Sequence, residues 1–446
     1  MNPLLRKWLF DTSLFVESIN NKEVSKTFKL LERAELSDRE ERINLSNEAF
    51  IDLIRSVSIH SPYYKNLFHD YDLHPKDFKS IDDIKKLPIL TKDIIKAQRS
   101  KIISSDPVAV DYLTRTSGGT TGEPIQIEVD KQCRINELYF YYRGLRWMGW
   151  VPGFPMVKFF GGSLSGNNSP TLKNRIKKYV SGEVFLPAFN LNRNTALEYL
   201  DKIRSLGPCY LQGYVSSIYT LAILTRELNY KGLKILGAFT TAEQLPTEQA
   251  EFIKETFGCA VKGFYGCAEI NCLGFQLETH GVYRTPEEIV FIENTKHPDL
   301  PIGNAFLISS LYNKRMPLLR YLNGDSGNLE VKDDQTVISE LSGRTADMFV
   351  SKTKGLISSI VATQTMQITG LTHKVQRYQL IQLSNDSIEF RYKTFIGESL
   401  KPEELNKIID MYNIRLGVEF HIKTIETDDF IKSSSGKHRL MVNLNN

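Results

Sequence analysis

Between residues 100 and about 340, short apolar runs alternate with stretches of helical pattern, and this constrains the fold more than anything else in the chain. The runs are Pro155–Phe160, Cys209–Leu211, Ile235–Thr240 and Val261–Phe264, with helical candidates between them at 194–206, 215–229 and 246–257. Such alternation predicts an α/β sheet with helices on its faces. In sheets of that kind, ligands sit beyond the carboxyl ends of the strands. Residues 1–60 read as mostly helical, and 61–100 as turns and short helices. From 288 to 340 the pattern changes to short strands punctuated by turns (EIVFIEN, NAFLISSL, LLRYLNGDSGNLEV, TVISELSGR), which predicts an antiparallel or barrel-like portion. Residues 378–446 run strand, helix, strand, a compact α+β unit. The expected boundary lies near Ser342–Phe349, dividing the chain into a large unit, 1–343, and a small one, 344–446.

At 446 residues the chain is too long for one ordinary core, which also implies at least two domains. A net charge of +4 argues against a dedicated nucleic-acid binder. The densest basic run, Lys173, Arg175, Lys177 and Lys178, reads as a solvated face. No stretch approaches the ~18–20 apolar residues of a spanning helix. The start, MNPLLRKWLFDTSLFVESINN, is too polar after Phe10 for a secretory signal. Leu4, Leu5, Trp8, Leu9 and Phe10 are expected on an amphipathic helix docked on the protein's own core, with a peripheral membrane role as the alternative. Five scattered cysteines do not make a disulfide framework, and a reducing cytoplasm is the expected location.

Residues 114–124 read TRTSGGTTGEP and pack Thr116, Ser117, Gly118, Gly119, Thr120, Thr121 and Gly122 into one short turn. Glycine lets backbone approach a ligand closely, and successive free N–H groups form an anion-binding nest. A phosphate site and a solvated linker between two strands both fit this composition. The loop is not a Walker motif, because Glu123 and Pro124 follow Gly122 where Lys would stand.

Other segments carry chemistry at strand ends. In Phe264-Tyr265-Gly266-Cys267-Ala268-Glu269 an aromatic ring suited to stacking on adenine lies near a carboxylate suited to Mg²⁺, a hard cation that prefers oxygen. In Tyr321-Leu322-Asn323-Gly324-Asp325 a turn presents a carboxylate that can accept from both hydroxyls of a ribose. Ser435-Gly436-Lys437-His438-Arg439 places a lysine near the end of the chain. Cys259, Cys267, Cys272 and His280 fall in one short stretch, but without the compact pair typical of zinc sites. Burial as small hydrophobes is the competing reading for these thiols.

Taken in order, these segments resemble the adenylate-forming superfamily and, within it, the phenylacetate–CoA ligase family and its capsule-biosynthesis homologues. The resemblance covers nearly the whole chain, starting at Ser61-Pro62-Tyr63-Tyr64-Lys65 and Leu87-Pro88-Ile89-Leu90-Thr91-Lys92. It implies a large N-terminal α/β domain of adenylate-forming type and a small mobile C-terminal α+β domain. It assigns the phosphates of ATP to the 116–122 loop and the adenine side to Thr241, Ala242 and Glu243, with Tyr265 and Gly266 also at the nucleotide. The ribose falls to Asp325, Mg²⁺ to Glu269, a further nucleotide contact to Arg344 and catalysis to Lys437. Gln212-Gly213-Tyr214-Val215-Ser216-Ser217 resembles the wall of the acyl pocket, although a strand-to-helix turn capped by serine explains it equally. Tyr139, Tyr141, Phe159 and Phe160 are candidates both for that pocket and for the core. Some relatives carry structural zinc, for which Cys259, Cys267, Cys272 and His280 would be the ligands. The chain departs from the family at Ala268, where a hydroxyl residue is usual, and at Ala346, the hinge, where an aspartate is usual; Asp347 matches. The implied reaction joins a carboxylic acid to ATP, giving acyl-AMP and pyrophosphate, and a nucleophile then displaces AMP. Coenzyme A is the expected nucleophile. An amine such as an amino sugar is the alternative, and a non-catalytic nucleotide-binding homologue is another.

Overall fold

A computed structural model describes residues 3–116, 125–160, 182–188, 191, 193–297, 300–342, 349–351, 355–357, 360–416, 420–432 and 438–444. Its backbone is a sheet of eleven strands. In spatial order they are Val290–His297, Leu300–Ser310, Tyr321–Lys332, Gln335–Ser342, Tyr283–Arg284, Gly274–Gln276, Ala260–Tyr265, Ile235–Thr241, Cys209–Tyr214, Met156–Phe160 and Glu183–Pro187. The five strands from Ala260–Tyr265 to the Glu183–Pro187 edge are parallel, and the remainder pair antiparallel. The turn-rich 288–340 portion is therefore antiparallel but not a separate barrel. The short strands Gly274–Gln276 and Tyr283–Arg284 stitch it into the parallel half. Gly274 permits the join, since a Cβ there would lie 2.9 Å from the Tyr283 Cβ.

The parallel strands are covered on both faces, as continuous apolar runs require. Every residue of Cys209–Tyr214 is buried. On one face Val157, Phe159, Leu211 and Ala238 pack with the helices Ala196–Ser205 and Val215–Glu227. On the other, Met156, Tyr210 and Phe239 meet Leu145, from the helix Lys131–Trp147, and Phe10. The N-terminal helix Pro3–Asn20 docks through Phe10, which packs edge-on against Tyr142 and Trp150. Only part of the expected apolar set goes inward. Leu4, Leu5 and Trp8 stay exposed, because the helix turns them away from the face that carries Phe10.

A second sheet, in the order His421–Glu426, Ser387–Thr394, Val375–Ser384 and Met441–Asn443, has its own core. Along Ser387–Thr394 burial alternates, sending Ile388, Phe390 and Tyr392 inward. They meet Tyr412 of the helix Pro402–Leu416 and Met366 of the helix Ile360–Thr369. The last strand of the large sheet ends at Ser342, and residues 343–348 lie outside the described set, as does the basic run 173–178. Among the described residues no helix is long and apolar enough to cross a membrane. All five cysteines are free thiols.

Candidate active site

Thr116 closes the strand Tyr112–Thr116, which pairs antiparallel with Gln126–Asp130 in the register Thr116 with Gln126. The Gly-rich segment thus joins the two strands of a hairpin; Ser117, Gly118, Gly119, Thr120, Thr121 and Gly122 lie outside the described residues. The hairpin's base is bolted down. Buried Glu128 takes Arg99 at 2.6 Å and Arg315 at 2.7 Å, one on each oxygen. Asp130 accepts from the Cys133 N–H at 2.9 Å, capping Lys131–Trp147, and from the Lys314 N–H at 2.6 Å. Arg115 pairs with Glu137 at 2.5 Å. With its amide oriented to suit its neighbours, Asn271 accepts from Arg115 Nη1 at 3.0 Å and donates to the Cys267 carbonyl at 3.1 Å. That network ties the hairpin to the loop after Tyr265.

Tyr265 ends the strand Ala260–Tyr265. Its hydroxyl donates to Asp325 Oδ2 at 2.7 Å and accepts from Asn323 Nδ2 at 2.9 Å. Asn323 also donates to Asp325 Oδ2 at 2.8 Å. Burial first, and the Asp325 carboxylate second, raise the Tyr265 phenol well above its ordinary value, so it remains a donor. Glu269 lies close by, 6% exposed, and its Oε1 accepts from the Tyr321 hydroxyl at 3.2 Å. Its Oε2 is buried with no hydrogen-bond partner among the described residues. A buried carboxylate oxygen left bare is costly unless something binds it. An oxygen-seeking cation such as Mg²⁺ fits that position.

The two N-terminal signatures hold the start of the strand Tyr321–Lys332 in place. Leu90 forms a parallel bridge with Tyr321, with Leu90 N–H donating to the Arg320 carbonyl and Leu322 N–H to the Leu90 carbonyl, both at 3.0 Å. The Tyr64 hydroxyl donates to the Pro317 carbonyl at 3.0 Å. Arg320 serves the same scaffold, donating to the carbonyls of Leu87 at 2.6 Å and Lys85 at 3.2 Å and pairing with Glu293 at 3.1 Å.

Thr241 ends the strand Ile235–Thr241, and Ala242 follows at φ +67°. That conformation costs a non-glycine residue on the order of 1 kcal/mol and turns Glu243 back toward the helix Val215–Glu227. Glu243 Oε2 accepts from the Ser216 N–H at 2.6 Å, and Oε1 from the Ser216 hydroxyl at 2.9 Å. Ser216 is thus not the cap expected from the sequence. It is a donor, and a carboxylate 27 residues away caps the helix. Glu243 Oε1 also accepts from the His438 N–H at 3.0 Å, linking the large sheet's loop to the C-terminal segment. His438 donates from Nε2 to the Tyr378 carbonyl at 3.0 Å, while burial, then Arg377, press its pKa down to about 3. Arg377 donates to Thr220 Oγ1 at 2.8 Å. Lys437, next to His438, lies outside the described residues, as do Arg344, Ala346 and Asp347.

The four zinc candidates do not converge. Cys259 packs in the apolar cluster with Cys209, where burial pushes its thiol up to about 12. Cys267 exchanges hydrogen bonds with Ile270 in its own turn, Cys272 donates to the Glu137 carbonyl at 3.6 Å, and His280 donates to the Leu245 carbonyl at 3.0 Å. Among the described residues no three His, Cys, Asp or Glu form a metal cluster. Of the aromatic candidates, Tyr139 and Phe159 are core. Tyr141 and Phe160 keep part of their surface accessible. Sequence reasoning missed Glu137, Asn271 and Asn323. Only Asn323 had a local signal, its place two residues before Asp325 in sequence.

The class follows from this arrangement: the fold is that of the adenylate-forming ligases. The structure is similar to 2-hydroxyisobutyryl-CoA ligase in the postadenylation state, with a TM-score of 0.72 over 93% of this chain and 92% of that one, at 15% identity. No family model matches the chain. By sequence it is similar to protein CapK of Staphylococcus aureus, 21% identical over 428 residues, 90% of this chain and 88% of that protein. It is also similar to indoleacetate–lysine synthetase of Pseudomonas savastanoi, 25% identical over 64% of this chain and 69% of that protein. Phenylacetate–coenzyme A ligase of Thermus thermophilus is 23% identical over 70% and 72%. The likeness to CapK and to the phenylacetate–coenzyme A ligases runs along most of the chain.

Proposed function

We propose that the protein activates a carboxylic acid with ATP as acyl-AMP and passes the acyl group to coenzyme A, giving a thioester. The observation that carries this reading is the bare, buried Oε2 of Glu269, beside the Tyr265–Asp325 pair at the end of the central strand. In this reading Glu269 would hold Mg²⁺, whose charge would offset that of the phosphates. The 116–122 loop receives the phosphate oxygens in its N–H groups, with Thr241, Ala242, Glu243 and Gly266 around the adenine. Asp325 orients the ribose. Arg344 contacts the nucleotide and Lys437 stabilises charge on the reacting oxygens. Residues 1–343 form the adenylating unit and 344–446 the unit that carries Lys437. ATP and coenzyme A as substrates support a cytoplasmic location for this reaction.

ATP–pyrophosphate exchange across a panel of acids tests the first step. Exchange should depend on both acid and Mg²⁺, and Glu269→Gln should lower it by roughly 10²–10³. Absence of acid-dependent exchange in folded protein overturns the proposal. A second reading, transfer to an amine, is favoured by the similarity to indoleacetate–lysine synthetase. Supplying coenzyme A or amines to the preformed adenylate separates the two.

A further inference from the structure

The helix Lys131–Trp147 connects the reacting edge of the site to a second polar position. Glu137, which grips Arg115 beside the Gly-rich segment, and Tyr141 lie four residues apart on one helical face, a rise of about 6 Å. The Tyr141 hydroxyl accepts from Gln212 Nε2. Its ring packs at 5.9 Å against Phe264, the neighbour of Tyr265. Gln212 is 1% exposed, in a strand with no other polar burial beyond its two tyrosines, and its Oε1 has no hydrogen-bond partner among the described residues. Tyr141 and Phe264 retain accessible surface although their surroundings are apolar. The one cation in register with Gln212, Lys158, is already paired with Glu183 at 2.5 Å.

We infer that this is the distal end of the acyl site, and that the acid carries a neutral hydrogen-bonding substituent, a hydroxyl or an aromatic amine, that reaches Gln212. The inference rests on the adenylating function proposed above. A buried amide oxygen without a partner disfavours a purely hydrocarbon acyl group, which would leave it bare in the complex. A second carboxylate is disfavoured because Lys158 is engaged and the facing group is itself an acceptor. A site built to bond a substituent rejects the analogue that lacks it.

The test is ATP–pyrophosphate exchange with matched acids: phenylacetate against its 3- and 4-hydroxy forms, and butyrate against 3-hydroxybutyrate. The hydroxylated member of at least one pair should be favoured roughly ten- to a hundredfold in kcat/KM. Gln212→Met, and independently Tyr141→Phe, should narrow that ratio toward one, with folding checked by thermal melting. Equal rates, or preference for the unsubstituted acids, overturn this inference while leaving acid activation standing. Failure of every acid to support exchange overturns both. A preference that survives in both variants places the recognition elsewhere and refutes the role of Gln212.

Discussion

Replacing Tyr265 with Phe removes one oxygen and leaves the ring, so no cavity forms. Two hydrogen bonds go with it, the donation to Asp325 at 2.7 Å and the acceptance from Asn323 at 2.9 Å. Asn323 keeps its other bond to Asp325, at 2.8 Å, so its amide is not stranded. The loss is concentrated on Asp325 Oδ2, a buried oxygen deprived of one donor. A bond to a charged group contributes about 1.5–3 kcal/mol, and relief from desolvating the phenol offsets part of that, leaving about 2 kcal/mol of destabilisation. Thermal melting and a urea titration measure it. If Tyr265 orients Asp325 for a ribose, AMP affinity by calorimetry should also weaken about tenfold, equivalent to ~1.4 kcal/mol. Tyr265→Phe protein that melts and binds AMP as the parent does refutes the argument. Lower stability with unchanged AMP affinity refutes the positioning role alone.

The His438 imidazole is depressed to about 3 in the folded protein, so its contribution is complete above the ordinary histidine range and is lost as pH falls below about 6.5. Stability should decline by at most about 1.4 kcal/mol per pH unit from this group, and His438→Asn should flatten the acid limb of a melting-temperature profile between pH 7 and 4. Glu243→Ala removes the cap of Val215–Glu227 and the contact to the His438 amide; it should cost about 2 kcal/mol in stability and increase protease cleavage of the C-terminal segment. Glu128→Gln leaves Arg99 and Arg315 facing a neutral amide and should cost about 2 kcal/mol by urea titration, with the effect shrinking little in salt because the carboxylate is buried. Phenols raised by burial, Tyr64, Tyr141 and Tyr412 among them, stay neutral in the fold; their contribution is complete below about pH 10 and is lost above it, so unfolding should steepen in alkali.

The element order was legible because it is local. Apolar runs at 209–211 and 235–240 become Cys209–Tyr214 and Ile235–Thr241, and the helical candidates at 215–229 and 246–257 become Val215–Glu227 and Thr247–Phe257. Periodicity and the left-handed Gly258 that ends Thr247–Phe257 act over a few residues, so a one-dimensional reading captures them. The motif residues Tyr265 and Glu243 were legible for a similar reason, standing at a strand end and in the loop after one; the turn expected at Asn323-Gly324-Asp325 is instead an irregularity within the strand Tyr321–Lys332, where Gly324 takes φ +87° and the pairing register shifts.

Partnership was not legible. Tyr265 meets Asp325 across 60 residues and Glu243 meets His438 across 195, because sheet register and the docking of the second sheet set those distances. The short strands Gly274–Gln276 and Tyr283–Arg284 are too brief to signal themselves, yet they fuse the antiparallel strands to the parallel ones and carry Asp325 to the end of the central strand. By itself the sequence determined which residues could do chemistry and on which local elements they ride. Only the tertiary structure decided which of them share a proton, which oxygen of Glu269 stays bare and why four cysteine and histidine side chains never meet. Those outcomes depend on burial and on hydrogen bonds closed between distant segments, and no local preference encodes them.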